Sequence, residues 1–497
     1  MLALPPHRSC FCGGVAALPR LREALRLPRS RGYSRFLHKT VSLAASAASF
    51  SAMAHKRGRK VAVVGGGPAG MAACRYLDAF GHHPVVFEAG DQSGGIWAPR
   101  PTNNVVYKGL VTNIPTVCMQ SFDLDFSEGL RSYITGPQLG EYLIQYTDHF
   151  DLRRFVRFGA TVDRVDHKLG SLENDSWEVS WTHANRDMCG TDLFDAVVVA
   201  TGHYQFPYTP EVPGQQEWLQ AARERKVLHA ISYNDPDVFV GKSVLVVGGR
   251  SSAVDIAREL RPRVSALYVL EKGCRDISAV GNCSHVPFGT AVGEDGLLVF
   301  QGETIKGPPV DIIILATGYT YQFPFLDEKA LQLDFGPDGR YVAPLYQHIL
   351  HANLPSLAFL GIPLAVPCPV PLFEAQAYFV ASHLSHAWTS NKERSQWVHS
   401  CFEATEKPQN LHFLSGAAWE YMATLLKEAG MTNEDHSKYV KRLSLVQAIY
   451  HDRVSRRPNM PWDDDDYRRC EYAADYAQES FRVTLPDGSV CEGRSKI

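Results

Sequence analysis

A chain of 497 residues is longer than one hydrophobic core usually organises, so two or three domains are expected. Hydrophobic residues make up 45% and charged residues 21%, as in ordinary globular proteins, and no stretch reaches the roughly 18 apolar residues that a transmembrane segment needs. The formal net charge of -3 excludes a global field that attracts nucleic acid, and no nucleic-acid partner is expected.

The N-terminal segment differs from the rest because the basic excess is concentrated there. Twelve Lys or Arg stand in residues 1–60 against a single acid. Leucines and arginines recur at helical spacing over Arg20–Leu27, and Arg31–Ser34 resembles a presequence cleavage site. We therefore expect residues 1–59 to be a mitochondrial or other organellar targeting segment. A cytoplasmic form that starts at Met53 and a basic disordered arm are the alternatives.

The first unit after this segment carries a dinucleotide-binding fingerprint. A valine-rich run, Val61–Val64, predicts a buried parallel strand. Gly65, Gly67 and Gly70 follow at the spacing that gives a tight turn, close backbone approach to a pyrophosphate, and helix-to-strand packing. A helical pattern and a second apolar strand lead to Glu88, where a carboxylate accepts from ribose hydroxyls. The residues thus predict a bound adenine dinucleotide.

Shorter signals follow this unit. Gly94–Trp97 is a glycine loop closed by a large aromatic, and Asn113 stands two residues before a proline, where a turn residue is the plain interpretation. A helix is predicted over Tyr142–Phe150, and two strands of a small meander over Thr161–Val165 and Trp177–Trp181.

The chain then repeats its first unit. A buried strand ends at Thr201 and Gly202, and the proline-rich linker after it predicts a domain boundary. A new strand, turn and helix start around Gly248, and the next strand ends at Glu271. The same number of residues separates first glycine from carboxylate in both units, and the closing strand at Ala316–Tyr319 echoes the first. Two nucleotide-binding units are expected.

In these residues the chain resembles the flavin-containing monooxygenases, which oxygenate soft nitrogen and sulfur centres; the plant-type S-oxygenating branch is nearest in appearance. The resemblance runs from about Val61 to Gly430. Beyond the first glycine turn, the motifs that carry it are Gly94–Trp97, Leu110–Pro115, Ala200–Tyr204, Pro207–Gly214, His229–Tyr233, Ala316–Tyr319, Val342–His348, Gly361–Pro363 and Phe373–Ala377.

The resemblance implies an α/β fold with two Rossmann-like dinucleotide-binding domains, the nicotinamide domain being inserted into the FAD domain. It places FAD on the first turn and NADPH on the second. The implied ranges are 60–210 and 318–445 for the two parts of the FAD domain and 211–317 for the NAD(P)H domain. Residues 446–497 are expected to be an acidic polar tail without chemistry.

The resemblance also implies the reaction, in which reduced flavin and dioxygen form a C4a-hydroperoxide whose distal oxygen passes to a small S- or N-nucleophile. Asn113 is then the expected catalytic residue, the one polar side chain over flavin and nicotinamide. Cofactor contacts are expected from Gly65, Gly67, Gly70, Glu88, Gly95, Trp97, Thr201 and Gly202 for FAD, from Gly248, Ser251, Ser252, Glu271 and Lys272 for the nicotinamide coenzyme, and from Gln376.

Other family positions receive supporting roles. His229 and Tyr233 are expected to brace the linker and the nicotinamide domain, Glu374 to lie near the flavin, and Tyr319 to be a core aromatic. The eleven cysteines include no C-x-x-C pair, so reduced thiols and no metal site are expected. The resemblance leaves a homodimer open.

Departures from the family pattern leave the second unit less certain in function. Arg223 and Arg225 stand where the family has an aromatic and a glycine. Arg250 replaces the second glycine of the second turn, so a bulky cation occupies a position where backbone approaches pyrophosphate. A solvent-facing side chain with the turn intact is the alternative.

The coenzyme choice also stays open. Glu271 favours a free 2′-hydroxyl, whereas Lys272 and Arg275 could pair with a 2′-phosphate, so NADPH is expected and NADH is not excluded. An uncoupled NAD(P)H oxidase and a catalytically weakened flavin-binding scaffold are the alternative functions.

Overall fold

The computed structural model describes residues 58–98, 105–168, 176–185, 188–457 and 465–495. The predicted presequence cleavage site, Met53 and Pro461–Asp464 of the predicted tail lie outside the described residues. No helix of the described part combines the length and apolar character needed to cross a membrane.

The first part of the chain alternates strands and helices, then forms a meander. Its elements are β1 (Lys60–Val64), α1 (Pro68–Ala79), β2 (His83–Glu88), α2 (Thr116–Met119), α3 (Gly136–His149), β3 (Val156–Phe158), β4 (Ala160–Lys168), β5 (Ser176–His183), β6 (Cys189–Phe194), β7 (Ala196–Val199) and β8 (Phe206–Pro207). The predicted helix at 142–150 is the C-terminal part of α3, which begins earlier because Thr135 and Gln138 form a capping box there. The two predicted meander strands lie within β4 and β5, and β6 completes the meander.

The second part repeats the strand, helix and strand order. Its elements are α4 (Gln215–Ala221), β9 (Lys226–His229), β10 (Ser243–Val247), α5 (Ser251–Leu260), β11 (Ala266–Glu271), β12 (Ser278–Val280), β13 (Cys283–Pro287), β14 (Ala291–Val292), β15 (Leu298–Phe300), β16 (Glu303–Thr304) and β17 (Ile312–Leu315). These strands form a six-stranded sheet in the order β12-β13-β11-β10-β17-β9 and a small three-stranded sheet, β14-β15-β16.

The third part returns to the first sheet and ends in helices and a meander. Its elements are β18 (Tyr319–Thr320), β19 (Leu345–Tyr346), β20 (Leu350–His351), β21 (Leu357–Phe359), α6 (Pro369–Ser385), α7 (Asn391–Glu403), α8 (Ala418–Glu428), α9 (Asn433–Arg456), β22 (Glu471–Asp475), β23 (Ser480–Thr484) and β24 (Val490–Arg494). The seven-stranded sheet has the order β19-β20-β21-β7-β1-β2-β3, so it combines strands from before and after the second part.

Both large sheets are built around a buried parallel pair. β1 pairs with β2 and β7, and β10 pairs with β11 and β17 in the same parallel arrangement. The chain enters and leaves the second sheet through the antiparallel pair β8 and β18, in which Pro207 faces Tyr319. The second nucleotide unit is therefore inserted into the first, the α/β organisation expected from the sequence.

The C-terminal region differs from the expected polar tail. Helix α9 continues without interruption through the expected boundary at 445/446, and β22, β23 and β24 form an antiparallel sheet. The central strand alternates exposed residues with Phe481 and Val483, which are buried against the main core. This period-two pattern is short and surrounded by charges, which explains why composition alone predicted an unstructured segment.

Candidate functional site

The first glycine turn closes tightly at the C-terminal end of β1. Gly65 has a φ of +105°, and a Cβ there would lie 2.6 Å from the carbonyl oxygen of Ala200. A Cβ at Gly70 would lie 1.9 Å from the carbonyl oxygen of Gly65, so helix α1 approaches the strand end more closely than any side chain allows. These two glycines are thus required by the backbone geometry.

Bare backbone also lines the open side of this turn. The loop Gly94–Trp97 lies against it, with the Gly94 amide donating to the Gly66 carbonyl at 3.1 Å. A Cβ at Gly95 would stand 3.1 Å from the Cα of Gly67. The turn and the loop therefore present main chain to each other at the N-terminus of α1, which suits the phosphates of a dinucleotide.

Glu88 stands at the end of β2 beside this turn. Its Oε2 accepts from the Gly66 amide at 2.7 Å and its Oε1 from the Gly90 amide at 2.6 Å, and the residue is 3% exposed. A carboxylate beside a glycine turn at the end of the second strand is the type of group that accepts from ribose hydroxyls. The geometry fits the predicted ribose contact.

Residues after β7 extend the first site. Gly202 has a φ of +71° with open space around its Cα, and Thr201 approaches Gly65 closely. The imidazole Nδ1 of His203 lies 3.0 Å from the Gly361 carbonyl and must donate to it, while Nε2 is buried without a partner among the described residues. Burial lowers the pKa of His203 to about 4, so a neutral acceptor is available next to the first turn.

Gln376 contacts the first turn only indirectly. It is fully buried, its Oε1 accepts from the Gly361 amide at 3.0 Å, and its Nε2 donates to the Tyr421 hydroxyl at 3.1 Å. A Cβ at Gly361 would lie 3.7 Å from the Cβ of Ala69 in α1. Gln376 therefore positions the Gly361 backbone beside the turn.

The second glycine turn reproduces the first. Gly248 has a φ of +141°, and a Cβ there would lie 2.4 Å from the carbonyl oxygen of Ala316. A Cβ at Gly249 would lie 2.4 Å from Glu271 Oε2, the counterpart of the approach of Gly66 to Glu88. Ser251 and Ser252 are exposed at the start of α5, so hydroxyls and amides at a helix N-terminus fit the second dinucleotide.

Arg250 does not distort this turn. Its φ of -101° and ψ of -174° are extended values open to any residue, and α5 begins directly after it. The guanidinium carbon lies 4.9 Å from the ring centre of Phe413, which belongs to the third part of the chain. Burial and the nearby Arg340 lower the pKa of Arg250. The side chain therefore reaches across from the second turn to the FAD side of the molecule.

The charged groups near the end of β11 differ in position, because Glu271 faces the second turn and the cations after it are exposed. Its Oε1 lies 3.5 Å from His285 Nδ1, and its carboxylate faces the second turn. Lys272 is exposed, with Nζ 5.4 Å from the ring centre of Phe288, and Arg275 is also exposed. A carboxylate thus lines the turn while the two cations lie at the outer surface.

Asn113 connects the two nucleotide units. Its Nδ2 donates to Ser251 Oγ at 3.0 Å, which joins the loop after the first βαβ unit to the first residue of α5. The backbone around it is also held, because the Thr112 amide donates to the Ile134 carbonyl at 2.8 Å and Arg453 donates to the Asn113 carbonyl. The expected catalytic residue therefore lies where the two cofactor sites meet.

His229 and Tyr233 make the bracing contacts expected of them. His229 Nδ1 accepts from the Ile231 amide at 3.2 Å, so Nε2 carries the proton and donates to the Gly318 carbonyl at 3.0 Å. Tyr233 donates its hydroxyl to Glu259 at 2.7 Å. Both side chains hold backbone and helix inside the nicotinamide unit.

Tyr319 packs against other aromatic rings, and Arg225 hydrogen-bonds to backbone carbonyls. The Tyr319 ring packs edge-on against Tyr204 at 5.3 Å and His229 at 5.1 Å, measured between ring centres. Arg225 donates to the carbonyls of Trp218 and Glu294 at 2.8 and 2.5 Å.

Glu374 belongs to a buried polar cluster at α1. It accepts from Arg75 at 2.6 Å, Ser121 at 2.7 Å and Tyr146 at 3.0 Å. Burial raises the pKa of Glu374, and Arg75 opposes that change. These contacts tie α1, α3 and α6 together rather than extending either glycine turn. In the described ranges, no three His, Cys, Asp or Glu side chains group as a metal site.

Two arginines of this site are not predictable from local sequence patterns. Arg453 bonds to Asn113 across 340 positions, and Arg468 bonds to Asp255 across 213. The sequence shows only that arginines recur in this C-terminal region, and that pattern does not indicate which of them has a buried partner elsewhere in the chain.

The chain is similar to known proteins in sequence. The sequence profile described as "FMO-like: Flavin-binding monooxygenase-like" matches residues 58–280 and 290–417. A relative from Arabidopsis thaliana, flavin-containing monooxygenase FMO GS-OX-like 6, is 30% identical over 468 residues, covering 84% of this chain and 96% of that protein.

Two solved structures have the same fold over most of the chain. S-allyl-L-cysteine S-oxygenase from Allium sativum superposes with a TM-score of 0.71 at 28% identity, covering 83% of this chain and 97% of its own. Tmm from Pelagibacter sp. has a TM-score of 0.65 at 23% identity, covering 87% and 95%. The second likeness concerns the fold alone.

Proposed function

The chain belongs to the flavin-binding monooxygenase-like family, and from this premise we propose that it oxygenates the sulfur of a small organic sulfide with NADPH and dioxygen. As a member it is an FAD-dependent monooxygenase, and the cofactors of the family are FAD and NADPH, as expected from the sequence. The choice of sulfur is supported by the likeness to an S-allyl-L-cysteine S-oxygenase.

The observation that carries this proposal is the hydrogen bond between Asn113 and Ser251. This bond joins the loop after the first βαβ unit to the first residue of α5, so the two dinucleotide sites are adjacent. Hydride transfer between two bound cofactors requires such an arrangement. A protein that only bound FAD would not need a second dinucleotide site next to the first.

The expected roles of the chain's own residues are to bind the two dinucleotides and to orient them toward each other. A bound FAD would supply the redox chemistry, through which a hydride from NADPH and a proton from solvent would reduce dioxygen so that one oxygen atom passes to the sulfur and the other leaves as water. The first turn and Glu88 hold one dinucleotide, and the second turn with Ser251 and Ser252 holds the other. The Asn113 amide donates to Ser251 at the start of the second site. A sulfide has no proton to lose, so the reaction asks for no general base from the protein.

The test measures stoichiometry. Purified holoenzyme is first mixed with NADPH or NADH without oxygen, and bleaching of the yellow flavin is followed. Oxygen is then added with S-alkyl cysteines, uncharged sulfides or tertiary amines, and the coenzyme consumed, sulfoxide or N-oxide formed and hydrogen peroxide released are quantified. We expect about one sulfoxide per NADPH.

Each other outcome has a defined meaning in that test. Preference for amines over every sulfide would contradict the choice of sulfur. Oxidation of the coenzyme with one hydrogen peroxide released per molecule oxidised, and no oxygenated product from any compound, would indicate the uncoupled oxidase. Absence of bleaching by either coenzyme would indicate the flavin-binding scaffold.

A further inference from the structure

Two parts of the C-terminal region contact the elements that carry the hydrogen bond between Asn113 and Ser251. We term these parts, Arg453 and residues 465–472, the C-terminal clasp. The clasp touches α5 of the nicotinamide unit on one side and the strand-like stretch before α3 on the other. Its contact with α5 is buried, unlike the contacts of a solvated tail.

On the nicotinamide side, Arg468 binds Asp255 of α5. Its Nη2 lies 2.8 Å from Oδ1 and 3.1 Å from Oδ2, and the two side chains are 8% and 12% exposed. Asp255 stands four residues after Ser251, so the two share one face of α5. Arg258 holds the same carboxylate at 2.8 Å. The clasp thus fixes the first turns of the helix that carries the coenzyme-binding serines.

On the FAD side, the clasp holds the stretch that supports Asn113. Glu471 accepts from the Ser132 amide at 2.7 Å, and the Tyr472 amide donates to Ser132 Oγ at 2.7 Å. Two residues further along, the Ile134 carbonyl accepts from the Thr112 amide at 2.8 Å. A shift of the clasp would therefore move the backbone next to Asn113.

Arg453 joins the two sides. It donates to the Asn113 carbonyl, and its guanidinium carbon lies 5.2 Å from the ring centre of Tyr467, the neighbour of Arg468. The Tyr467 ring in turn packs edge-on against Tyr133 at 5.7 Å. The C-terminal clasp is therefore in contact with both cofactor-binding units and with Asn113 between them.

We propose that Arg468 is a positioning residue for coenzyme use: through Asp255 it fixes α5 at the distance at which Ser251 meets Asn113. The proposal rests on the proposed function. Units joined by short connections such as β8 and β18 move relative to each other unless an interface restrains them. A buried guanidinium nitrogen that contacts both oxygens of the Asp255 carboxylate provides that restraint. Without it, α5 retains its fold and loses its fixed position.

The test compares Arg468→Met with a control one residue away. Arg469→Met removes an exposed cation, 67% exposed, whose ion pair in the described part of the chain is with Asp466 of its own turn at 2.9 Å. Asp255 keeps Arg258 as a partner in Arg468→Met, so a lone buried carboxylate is not created. Hydrogen exchange of peptides covering 251–260, the dissociation constant for NADPH, bound FAD and sulfoxide formed per NADPH are measured for both.

We expect Arg468→Met to retain FAD, to exchange faster at the start of α5 and to bind NADPH about five-fold more weakly. Arg469→Met should match the parent, and Arg468→Lys, which keeps the charge but lacks the planar guanidinium, should lie between. Unchanged exchange and NADPH affinity in Arg468→Met would overturn the proposal. If that variant does not fold, an Arg468→Lys protein with parental exchange and affinity overturns it.

Exchange and NADPH affinity are measured without substrate, so they separate this proposal from the proposed function. If the parent forms no sulfoxide but Arg468→Met shows faster hydrogen exchange in α5, only the proposed function is contradicted. Normal sulfoxide formation with identical exchange contradicts only the positioning role. Faster exchange spread evenly over all peptides at unchanged NADPH affinity would also overturn it, because Arg468 would then serve general stability.

Discussion

The amide of Asn113 is held between two fixed groups, which defines what its loss should do. Its Nδ2 donates to Ser251, and its carbonyl accepts from Arg453, so the backbone position does not depend on the side chain. We expect Asn113→Ala to keep FAD at the parental ratio and to lose sulfoxide formation by about 10²-fold or more. Product formation against NADPH consumption checks this. Retained coupled turnover would contradict a catalytic role.

The position of Arg250 determines the sign of a second prediction. Because its backbone is extended and its guanidinium rests on Phe413, removing it relieves no clash at the turn. It removes a cation near the helix N-terminus where phosphates bind. Arg250→Gly should therefore raise the KM for NADPH about five-fold, equivalent to roughly 1 kcal/mol. The exposed Arg223 changed to Gln is the control, and a lowered KM would show obstruction.

Residue types with a local geometric reason were predictable from sequence. Gly70 is set by the backbone of the turn itself, and Glu88 by the end of the adjacent strand. Gly65 is set by its positive φ in the same turn and also by the nearby carbonyl of Ala200 from β7's end. Arg468 is different, because the Asp255 that defines its role lies 213 residues away. No local pattern distinguishes that arginine from exposed Arg469.

At the scale of elements, the two βαβ units were predictable because parallel pairing gives long apolar runs. β1 and β10 are buried at nearly every position and lie next to strands of the same character. The strands β19 and β20 have only two residues each, too few for a period to be seen. Their place at the sheet edge is determined by tertiary contacts, and sequence reading missed them.

A partly buried carboxyl group of α8 lies against the turn between β19 and β20. Glu428 of α8 accepts from Gln347 Nε2 at 3.1 and 3.0 Å and from the Tyr346 hydroxyl at 3.3 Å. Burial raises the pKa of Glu428 from its ordinary 4.5 to about 7, although these hydrogen bonds oppose the change. The folded protein thus retains this proton at pH values where the unfolded chain has released it.

This pKa shift predicts how the free energy of unfolding depends on pH. Since the folded state binds the extra proton, the contribution of Glu428 falls as pH rises from about 4.5 to about 7. Glu428→Gln should match the parent near pH 5 and exceed it by roughly 1–3 kcal/mol at pH 8. Denaturant unfolding at both pH values checks this, with exposed Glu403→Gln as the control. Equal differences at both pH values would contradict the prediction.

At the scale of the molecule, the FAD site lies where the two halves of the FAD domain meet in one sheet. The seven-stranded sheet takes β1, β2, β3 and β7 from before the inserted unit and β19, β20 and β21 from after it. The first glycine turn contacts Ala200 from the earlier half, and Gly361 from the later half stands next to Ala69. A ligand in this turn therefore bridges segments that are far apart in the chain.

Removal of FAD should consequently destabilise both halves of that sheet together. A ligand at about a thousand times its dissociation constant stabilises the native state by roughly 4 kcal/mol, which is lost on deflavination. We expect the apoprotein to melt several degrees lower and to exchange faster around both Gly65 and Gly361, with less change in β10 and β11. Added FAD should reverse both effects, whereas NADPH alone should not. An apoprotein that melts at the holoenzyme temperature would show that the two halves are already held by their own packing.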